Sequence, residues 1–306
     1  MAQMTRRAFV QAAALGAVSL SGLSLWGCAG WGSTSPEAAG TDAGSADAPV
    51  EPDPVEALIA SLSLEEKVAQ LFVVRPEDML GVYRAELQAE DEEDPVAVDE
   101  AGYFQPATAV TDQISSAVSA LSVGGFAFFG NNLEDPEQTQ LFLSQLRECA
   151  LAVNGVAPFL CVDEEGGSVS RVAKNEAFAV ENVGEMAEVG ISDDPEQAKV
   201  AASQIAAYLK PLGFNVDFAP VCDVADNPEN PTLAKRSFGA DPAQVAAMVA
   251  AAVRGFEEAD MACCLKHFPG LGSAEGDSHT ARISIPDDLE GLKASELKPF
   301  QAGIAA

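Results

Sequence analysis

Short, continuously apolar segments alternate with amphipathic segments along most of the chain, and this alternation is what most constrains the fold. The apolar segments predict five strands, at Leu71–Val74, Gly125–Phe129, Pro158–Asp163, Phe214–Pro220 and Met261–His267. Their residues are apolar throughout and do not alternate with polar ones, which is typical of strands buried on both faces of a sheet. Strands that alternate with helices at this spacing predict an α/β fold with a parallel sheet.

The amphipathic segments between these strands predict helices, and Pro, Asp or Gly residues mark many of their ends. The predicted helices are Val55–Gln70, Val110–Leu121, Pro136–Asn154, Asp194–Leu212, Pro242–Ala259 and Leu289–Ala306. Residues 86–100 include eight acidic residues and no basic one, which indicates a solvated insertion or the charged face of a helix.

Polar residues gather where the predicted strands end, at Asp163, Asp217, Lys266 and His267. A (β/α)8 barrel of the TIM type has its active site at this edge, formed by the loops that follow the strands. A doubly wound sheet also binds ligands at strand ends, but it usually has a glycine-rich turn after its first strand. No such turn follows Val74. We therefore expect a (β/α)8 barrel, of which about the first five βα units are present.

The charge of the chain excludes some classes of partner. The 306 residues contain 47 acidic and 17 basic side chains, which gives a formal net charge of −30. Binding to nucleic acid or to anionic lipid needs basic surfaces, so we expect neither for the body of the protein. The chain has only two histidines, His267 and His279, so any imidazole chemistry takes place there.

The first 28 residues are typical of an export signal. Arg6 and Arg7 precede an apolar run that is too short for a comfortable membrane span, and they resemble a twin-arginine signal. Cys28 ends a sequence that resembles a lipobox, which predicts lipidation of this cysteine; an uncleaved N-terminal anchor is the alternative. Residues 29–54 predict a disordered tether, and residues 55–306 a barrel domain. We expect an exported protein, anchored to the cell membrane on its extracytoplasmic face.

Three polar segments are candidates for chemistry. The first places Asp163, Glu164 and Glu165 before two glycines and Arg171, and a carboxylate beside a guanidinium binds a polyol through charge-assisted hydrogen bonds. The alternative interpretation of this first segment is a charged turn with a surface ion pair. The second, Lys266-His267, is costly to bury unless paired or ligand-bound. A buried histidine with satisfied hydrogen bonds is the alternative.

The third segment is Asp277-Ser278-His279 in a loop. An aspartate near a histidine fixes the imidazole tautomer and raises its basicity, which makes it a proton shuttle near neutral pH. A helix cap or a turn is the alternative.

Taken together, these segments resemble glycoside hydrolase family 3, in its β-N-acetylhexosaminidase branch. The resemblance runs from about Val55 to the end of the sequence and rests on the order and spacing of several motifs. They are K-V-A-Q-L-F, G-G-F-A-F-F-G-N-N, D-E-E-G-G-S-V-S-R-V, G-F-N-V-D-F-A-P-V-C-D-V, K-R-S-F-G, K-H-F-P-G-L-G and D-S-H.

The resemblance implies retaining hydrolysis of terminal β-linked N-acetylhexosamine, with N-acetylglucosamine from glycans or peptidoglycan fragments as the expected sugar. It implies a general acid/base, His279, oriented by Asp277, and no cofactor or metal. The implied sugar contacts are Asp163, Arg171, Arg236, Lys266 and His267. Glu164 and Leu271 depart from residues that are common in the family, which affects the expected subsites more than the reaction.

The family's nucleophile is an aspartate at the end of a later strand, and no aspartate follows Asp288 in this sequence. We therefore expect a truncated barrel whose nucleophile lies beyond residue 306, and a 306-residue chain that is inactive by itself. Three alternatives remain open. They are a metal enzyme that uses His267, Asp277 and His279, a non-catalytic sugar-binding surface lipoprotein, and a β-glucosidase-like glycosidase.

Overall fold

A computed structural model of the chain describes residues 53–86, 103–227, 230, 232–274, 283–285 and 287–306. The predicted signal, the tether up to residue 52 and the acidic residues 87–100 lie outside this described part. The chain divides into two compact units, residues 1–67 and residues 68–306.

In the first unit, the single helix predicted for Val55–Gln70 is wrong in one respect, because it is two helices. Helix α1 covers Pro54–Ser61, and α2 covers Leu64–Ala69 and continues into the second unit. The Ser63 amide donates to Glu66 Oε2 at 2.7 Å and the Glu66 amide donates to Ser63 Oγ at 3.2 Å. This reciprocal pair is a capping box, and it marks the start of the second helix.

The second unit contains the predicted five-stranded parallel sheet, with its strands in the order β1-β2-β3-β4-β5. The strands are β1 Val73–Val74, β2 Gly125–Phe128, β3 Phe159–Val162, β4 Val216–Asp217 and β5 Ala262–Cys263. All five predicted strands are confirmed in position, but each is shorter than predicted. The three inner strands are largely buried, whereas the side chains of β1 and β5 are only partly buried or exposed. The prediction of burial on both faces is therefore wrong for the two edge strands.

Most of the predicted helices are confirmed within two residues at each end. The helices that follow α2 are α3 Met79–Glu86, α4 Asp112–Ala120, α5 Pro136–Asn154, α6 Met186–Ile191, α7 Pro195–Leu212, α8 Pro242–Glu258, α9 Leu289–Ala294 and α10 Leu297–Ala305. Helices α3 and α6 were not predicted, and the segment Leu289–Ala306, predicted as one helix, forms the pair α9 and α10.

The three long helices share one starting motif, an aspartate followed by proline. The carboxylates of Asp135, Asp194 and Asp241 accept hydrogen bonds from backbone amides of the first turns of α5, α7 and α8, at 2.8, 3.1 and 2.8 Å. Aspartate at the N-cap satisfies amides that have no partner within the helix, and proline is already restricted to helical φ. These caps fix where each helix begins relative to the preceding loop.

The core lies between the sheet and these helices. Phe128 at the end of β2 makes edge-to-face contacts with Phe142 of α5 and with Phe214, at ring-centre distances of 5.5 and 5.7 Å. The inner strands are thus fixed against their covering helices. Within the described ranges, we find no helix with the length and apolar character that a membrane span requires.

Gly255 allows α7 and α8 to pack closely, since a Cβ atom at this position would lie 2.4 Å from the Lys199 carbonyl oxygen. We expect Gly255→Ala to lower the free energy of unfolding by about 2 kcal/mol, because overpacking outweighs the higher helix propensity of alanine. Urea unfolding measures the change. Gly81→Ala, which meets only the Phe104 side chain at 3.3 Å, is the control and should change stability by less than about 1 kcal/mol. Equal effects of the two variants would contradict the packing argument.

Candidate functional site

The charged side chains predicted to act together follow neighbouring strands of the sheet. Asp163 comes directly after β3, and Lys266 and His267 come three and four residues after β5. Beyond the strands proper, Val221 pairs in parallel with Lys266, and the Cys222 amide donates to the Lys266 carbonyl at 2.6 Å. This extension holds the segment after β4 beside the segment after β5, so the side chains that follow β3, β4 and β5 meet at one edge.

Lys266 is the cation at the centre of the cluster. Its Nζ lies 2.5 Å from Asp163 Oδ1 and 2.6 Å from Glu165 Oε1. Arg171 Nη2 lies 4.0 Å from the other oxygen of Asp163, on the side away from Lys266. The Asp163 and Arg171 side chains keep 23% and 29% of their surface exposed, whereas Glu165 keeps 2%. Asp163 and Arg171 therefore face the space available to a ligand, and Glu165 lies behind them.

Glu165 binds Arg236 through two parallel hydrogen bonds, from Nε and from Nη2, both 2.7 Å long. Burial alone would raise the pKa of Glu165, but the Arg236 hydrogen bond and the charge of Lys266 outweigh burial and lower this pKa. Glu165 is thus ionised and holds two cations in place. The sequence analysis did not assign it a role, although it is the third of the three consecutive carboxylates.

A second acidic residue that the sequence analysis missed, Asp223, holds His267. Asp223 is fully buried, and its Oδ2 lies 2.6 Å from His267 Nδ1. Its Oδ1 accepts from the backbone amides of His267 and Leu271, at 3.3 and 2.8 Å. The other ring nitrogen, His267 Nε2, lies 3.1 Å from Arg236 Nη2. The sequence signal for Asp223 is the second aspartate of D-F-A-P-V-C-D, which lies beyond the strand.

Glu164, between Asp163 and Glu165, points away from the cluster and is fully buried. Its two oxygens accept from the backbone amides of Arg171, Val172 and Ala173 at 2.6, 2.9 and 2.9 Å, and from the Tyr208 hydroxyl at 3.0 Å. Three backbone amides on one carboxylate fix the end of the loop, and with it the position of Arg171. The departure at Glu164 therefore concerns loop structure.

The two glycines of the first motif also serve the loop. Gly166 and Gly167 have φ angles of 96° and 53°, which side-chain-bearing residues rarely adopt. A Cβ on Gly167 would lie 2.3 Å from the Glu185 carboxylate, and one on Gly166 would lie 2.8 Å from the Gly184 carbonyl oxygen. Protein atoms thus occupy the space that a side chain at either position would need, so the fold of this loop requires both glycines.

Asp217, at the end of β4, lies beneath the cluster and is fully buried. Its Oδ1 accepts from the Glu164 amide at 3.0 Å, and among the described residues its Oδ2 has no hydrogen-bond partner. Burial raises the pKa of Asp217 well above the ordinary value, and the neighbouring carboxylates of Glu164 and Asp163 raise it further. Burial therefore favours the protonated, uncharged form of this carboxyl.

Glu296, just before α10, holds the loop that follows His267. Its Oε2 accepts from the Val224 amide at 3.0 Å and its Oε1 accepts from the Ser273 amide at 3.3 Å. Asp223 and Glu296, both buried, thus clamp this loop between them. Burial raises the pKa of Glu296 to about 7, and the negative charge of Asp223 adds to the effect.

The structure brings together all five predicted sugar contacts. They are Asp163, Arg171, Arg236, Lys266 and His267. Asp277, His279 and the lipidation site Cys28 lie outside the described residues, so their roles stay predictions. The described residues contain no group of three His, Cys, Asp or Glu side chains arranged to hold a metal ion. Two of the three residues of the metal-enzyme alternative, Asp277 and His279, lie outside that part of the chain.

Comparison with known proteins gives one family. The sequence model of the "Glycosyl hydrolase family 3 N terminal domain" matches residues 63–306. Beta-hexosaminidase A of Pseudoalteromonas piscicida is 33% identical over 204 residues, which cover 65% of this chain and 33% of that protein. A beta-hexosaminidase of Stenotrophomonas maltophilia is 35% identical over 60% of this chain and 54% of its own length. The chain thus spans between about a third and a half of the length of these curated relatives.

Solved structures agree. A glycoside hydrolase family 3 beta-N-acetylglucosaminidase from Paenibacillus matches 80% of this chain and 40% of its own, with a TM-score of 0.65 and 33% identity. NagZ from Neisseria gonorrhoeae, in complex with N-trifluoroacetyl-D-glucosamine, matches 64% of this chain and 57% of its own, with a TM-score of 0.58 and 27% identity.

The raised pKa of Glu296 predicts how stability depends on pH. Because the folded chain keeps its proton up to about pH 7 while the unfolded chain loses it near the ordinary glutamate value, this residue's contribution is complete in acid and is lost as pH rises toward 7. Glu296→Gln should therefore flatten the fall in stability between about pH 4.5 and pH 7. Urea unfolding at several pH values measures how the free energy of unfolding depends on pH. Glu290→Gln, on the exposed face of α9, is the control; an unchanged slope in Glu296→Gln would contradict the assignment.

Proposed function

Because the chain belongs to glycosyl hydrolase family 3, we propose that its site binds terminal β-linked N-acetylhexosamine, in particular N-acetylglucosamine, for retaining hydrolysis. The names of the beta-hexosaminidase relatives support this sugar. The N-trifluoroacetyl-D-glucosamine bound by the Neisseria relative supports it as well. Glycans or peptidoglycan fragments are the proposed source.

One observation carries the proposal, the partly exposed carboxylate of Asp163 between two cations. Its Oδ1 lies 2.5 Å from Lys266 Nζ and its Oδ2 lies 4.0 Å from Arg171 Nη2. Adjacent hydroxyls of a sugar donate to such a carboxylate and accept from the flanking cations, so each hydrogen bond is charge-assisted.

The proposed chemistry is a double displacement. His279, oriented by Asp277, protonates the leaving glycosidic oxygen while a carboxylate forms a covalent bond to the sugar. In the second step His279 takes a proton from water, whose oxygen displaces the carboxylate and regenerates the enzyme. In this proposal the nucleophile comes from outside the assigned residues, since Asp163, Glu165 and Asp223 are each engaged by a neighbouring side chain.

Sugar binding tests the role of Asp163. Asp163→Asn should weaken binding of N-acetylglucosamine by about tenfold or more, because it removes the charge from the hydrogen bonds to the hydroxyls. Isothermal calorimetry of the 306-residue chain measures this. Asp226→Asn, on an exposed residue of the segment after β4, is the control and should bind as the unmodified chain does. Equal affinities of the two variants would contradict the site.

Hydrolysis tests the reaction. A chain extended by further βα units should cleave aryl β-N-acetylglucosaminide in preference to aryl β-glucoside, and His279→Ala should change its pH–rate profile, because the proton shuttle is lost. Preference for the glucoside would favour a β-glucosidase-like enzyme, and binding without turnover a sugar-binding lipoprotein. Turnover by the 306-residue chain would contradict a nucleophile outside it.

The proposed location is the extracytoplasmic face of the cell membrane, through a lipid on Cys28. The support is the sequence alone: Arg6-Arg7, the apolar run and the cysteine that ends it. Cys28→Ser should move the protein from the membrane fraction to the soluble fraction, because the lipid attachment site is lost. Western blotting of the two fractions measures it, and retention of the variant in the membrane would favour an uncleaved anchor.

A further inference from the structure

We propose that Asp223 is a positioning residue that acts on the sugar through two others: it fixes the proton of His267 on Nδ1, and the free Nε2 then orients Arg236. The identity of the bound sugar in this proposal rests on the proposed function. The position of the proton on His267 does not, because it depends only on contacts within the protein.

Asp223 presents both of its oxygens to the segment that follows β5. Its Oδ1 is already occupied by two backbone amides, those of His267 and Leu271, at 3.3 and 2.8 Å. Its Oδ2 is 2.6 Å from His267 Nδ1 and lies in a fully buried carboxylate, which accepts hydrogen bonds and donates none. Nδ1 must therefore carry a proton.

The opposite side of the imidazole decides the state of the other nitrogen. His267 Nε2 lies 3.1 Å from Arg236 Nη2, and a guanidinium has only donors. If Nε2 also carried a proton, two N–H groups would face each other at this distance. His267 is therefore neutral, with its lone pair on Nε2 directed at Arg236.

This acceptor completes the set of partners that hold Arg236. Nε and Nη2 donate to Glu165, and Nη2 also donates to His267, so the plane of the guanidinium is fixed from two sides. Both nitrogens of His267 are occupied by protein atoms. In the absence of rearrangement, His267 therefore acts on a sugar by aligning Arg236.

The chain is well suited to a direct measurement, because it contains only two histidines. Labelling histidine with ¹⁵N gives two sets of ring signals, and His279→Ala identifies those of His267. Near neutral pH and without sugar, we expect the Nδ1 of His267 to be of the protonated type and its Nε2 of the unprotonated type. A proton on Nε2 in the unmodified protein, in either the neutral or the charged ring, would overturn the proposal.

The variant Asp223→Asn should exchange the two types. The asparagine oxygen is needed by the two backbone amides, so its NH2 group faces Nδ1, and the proton of His267 moves to Nε2, opposite Arg236. Binding of N-acetylglucosamine should then weaken by about tenfold, as expected when one hydrogen bond to a charged group is lost. Asp226→Asn should leave both the signals and the affinity unchanged.

The two readouts separate this proposal from the proposed function. Unexchanged signals in a folded Asp223→Asn protein, or exchanged signals with unchanged affinity, would overturn the role of Asp223. Where Asp223→Asn does not fold, the signals of the unmodified protein decide the tautomer. A protein with the expected tautomer that binds no N-acetylglucosamine would instead contradict the proposed sugar, while the placement of the proton by Asp223 would stand.

Discussion

The ammonium group of Lys266 between Asp163 and Glu165 is the contact on which the rest of the site depends. Its two partners lie 103 and 101 positions earlier in the sequence, at 2.5 and 2.6 Å. A cation this poorly exposed is stable only beside carboxylates, and two carboxylates this close to each other need a cation between them. The contact therefore joins the segments after β3 and β5 and fixes Asp163 with one oxygen still directed at solvent.

The remaining acidic residues divide into those that hold side chains and those that hold backbone. Glu165 aligns Arg236 through two hydrogen bonds, and Asp223 fixes the ring of His267. Glu164 binds backbone amides on the loop after β3, and Glu296 binds one amide on each of the segments after β4 and β5. Residues that look alike in the sequence thus have different tasks, because each strand end turns its carboxylates toward different neighbours.

The sequence predicted the order of strands and helices and five of the residues that meet at the site, since apolar runs and motif spacing are local features. It did not predict the bounds of the strands. A strand extends only as far as its backbone pairs with a neighbouring strand, and this pairing depends on residues far away in the sequence. Asp223 and Glu296 were missed for the same reason: the residues they bind lie up to 48 and 72 positions away. The shared helix starts were predictable because an Asp-Pro cap involves only one turn of chain.

The burial of Asp217 beneath the cluster has a consequence for the charge of the site. Since burial disfavours the charged form of Asp217, the charged groups of the cluster are the anions Asp163, Glu165 and Asp223 and the cations Arg171, Arg236 and Lys266. The anions and the cations are equal in number, so their charges balance. A site with balanced charges exerts little long-range attraction on an ion, so what distinguishes one ligand from another there is the placement of individual hydrogen-bond donors and acceptors.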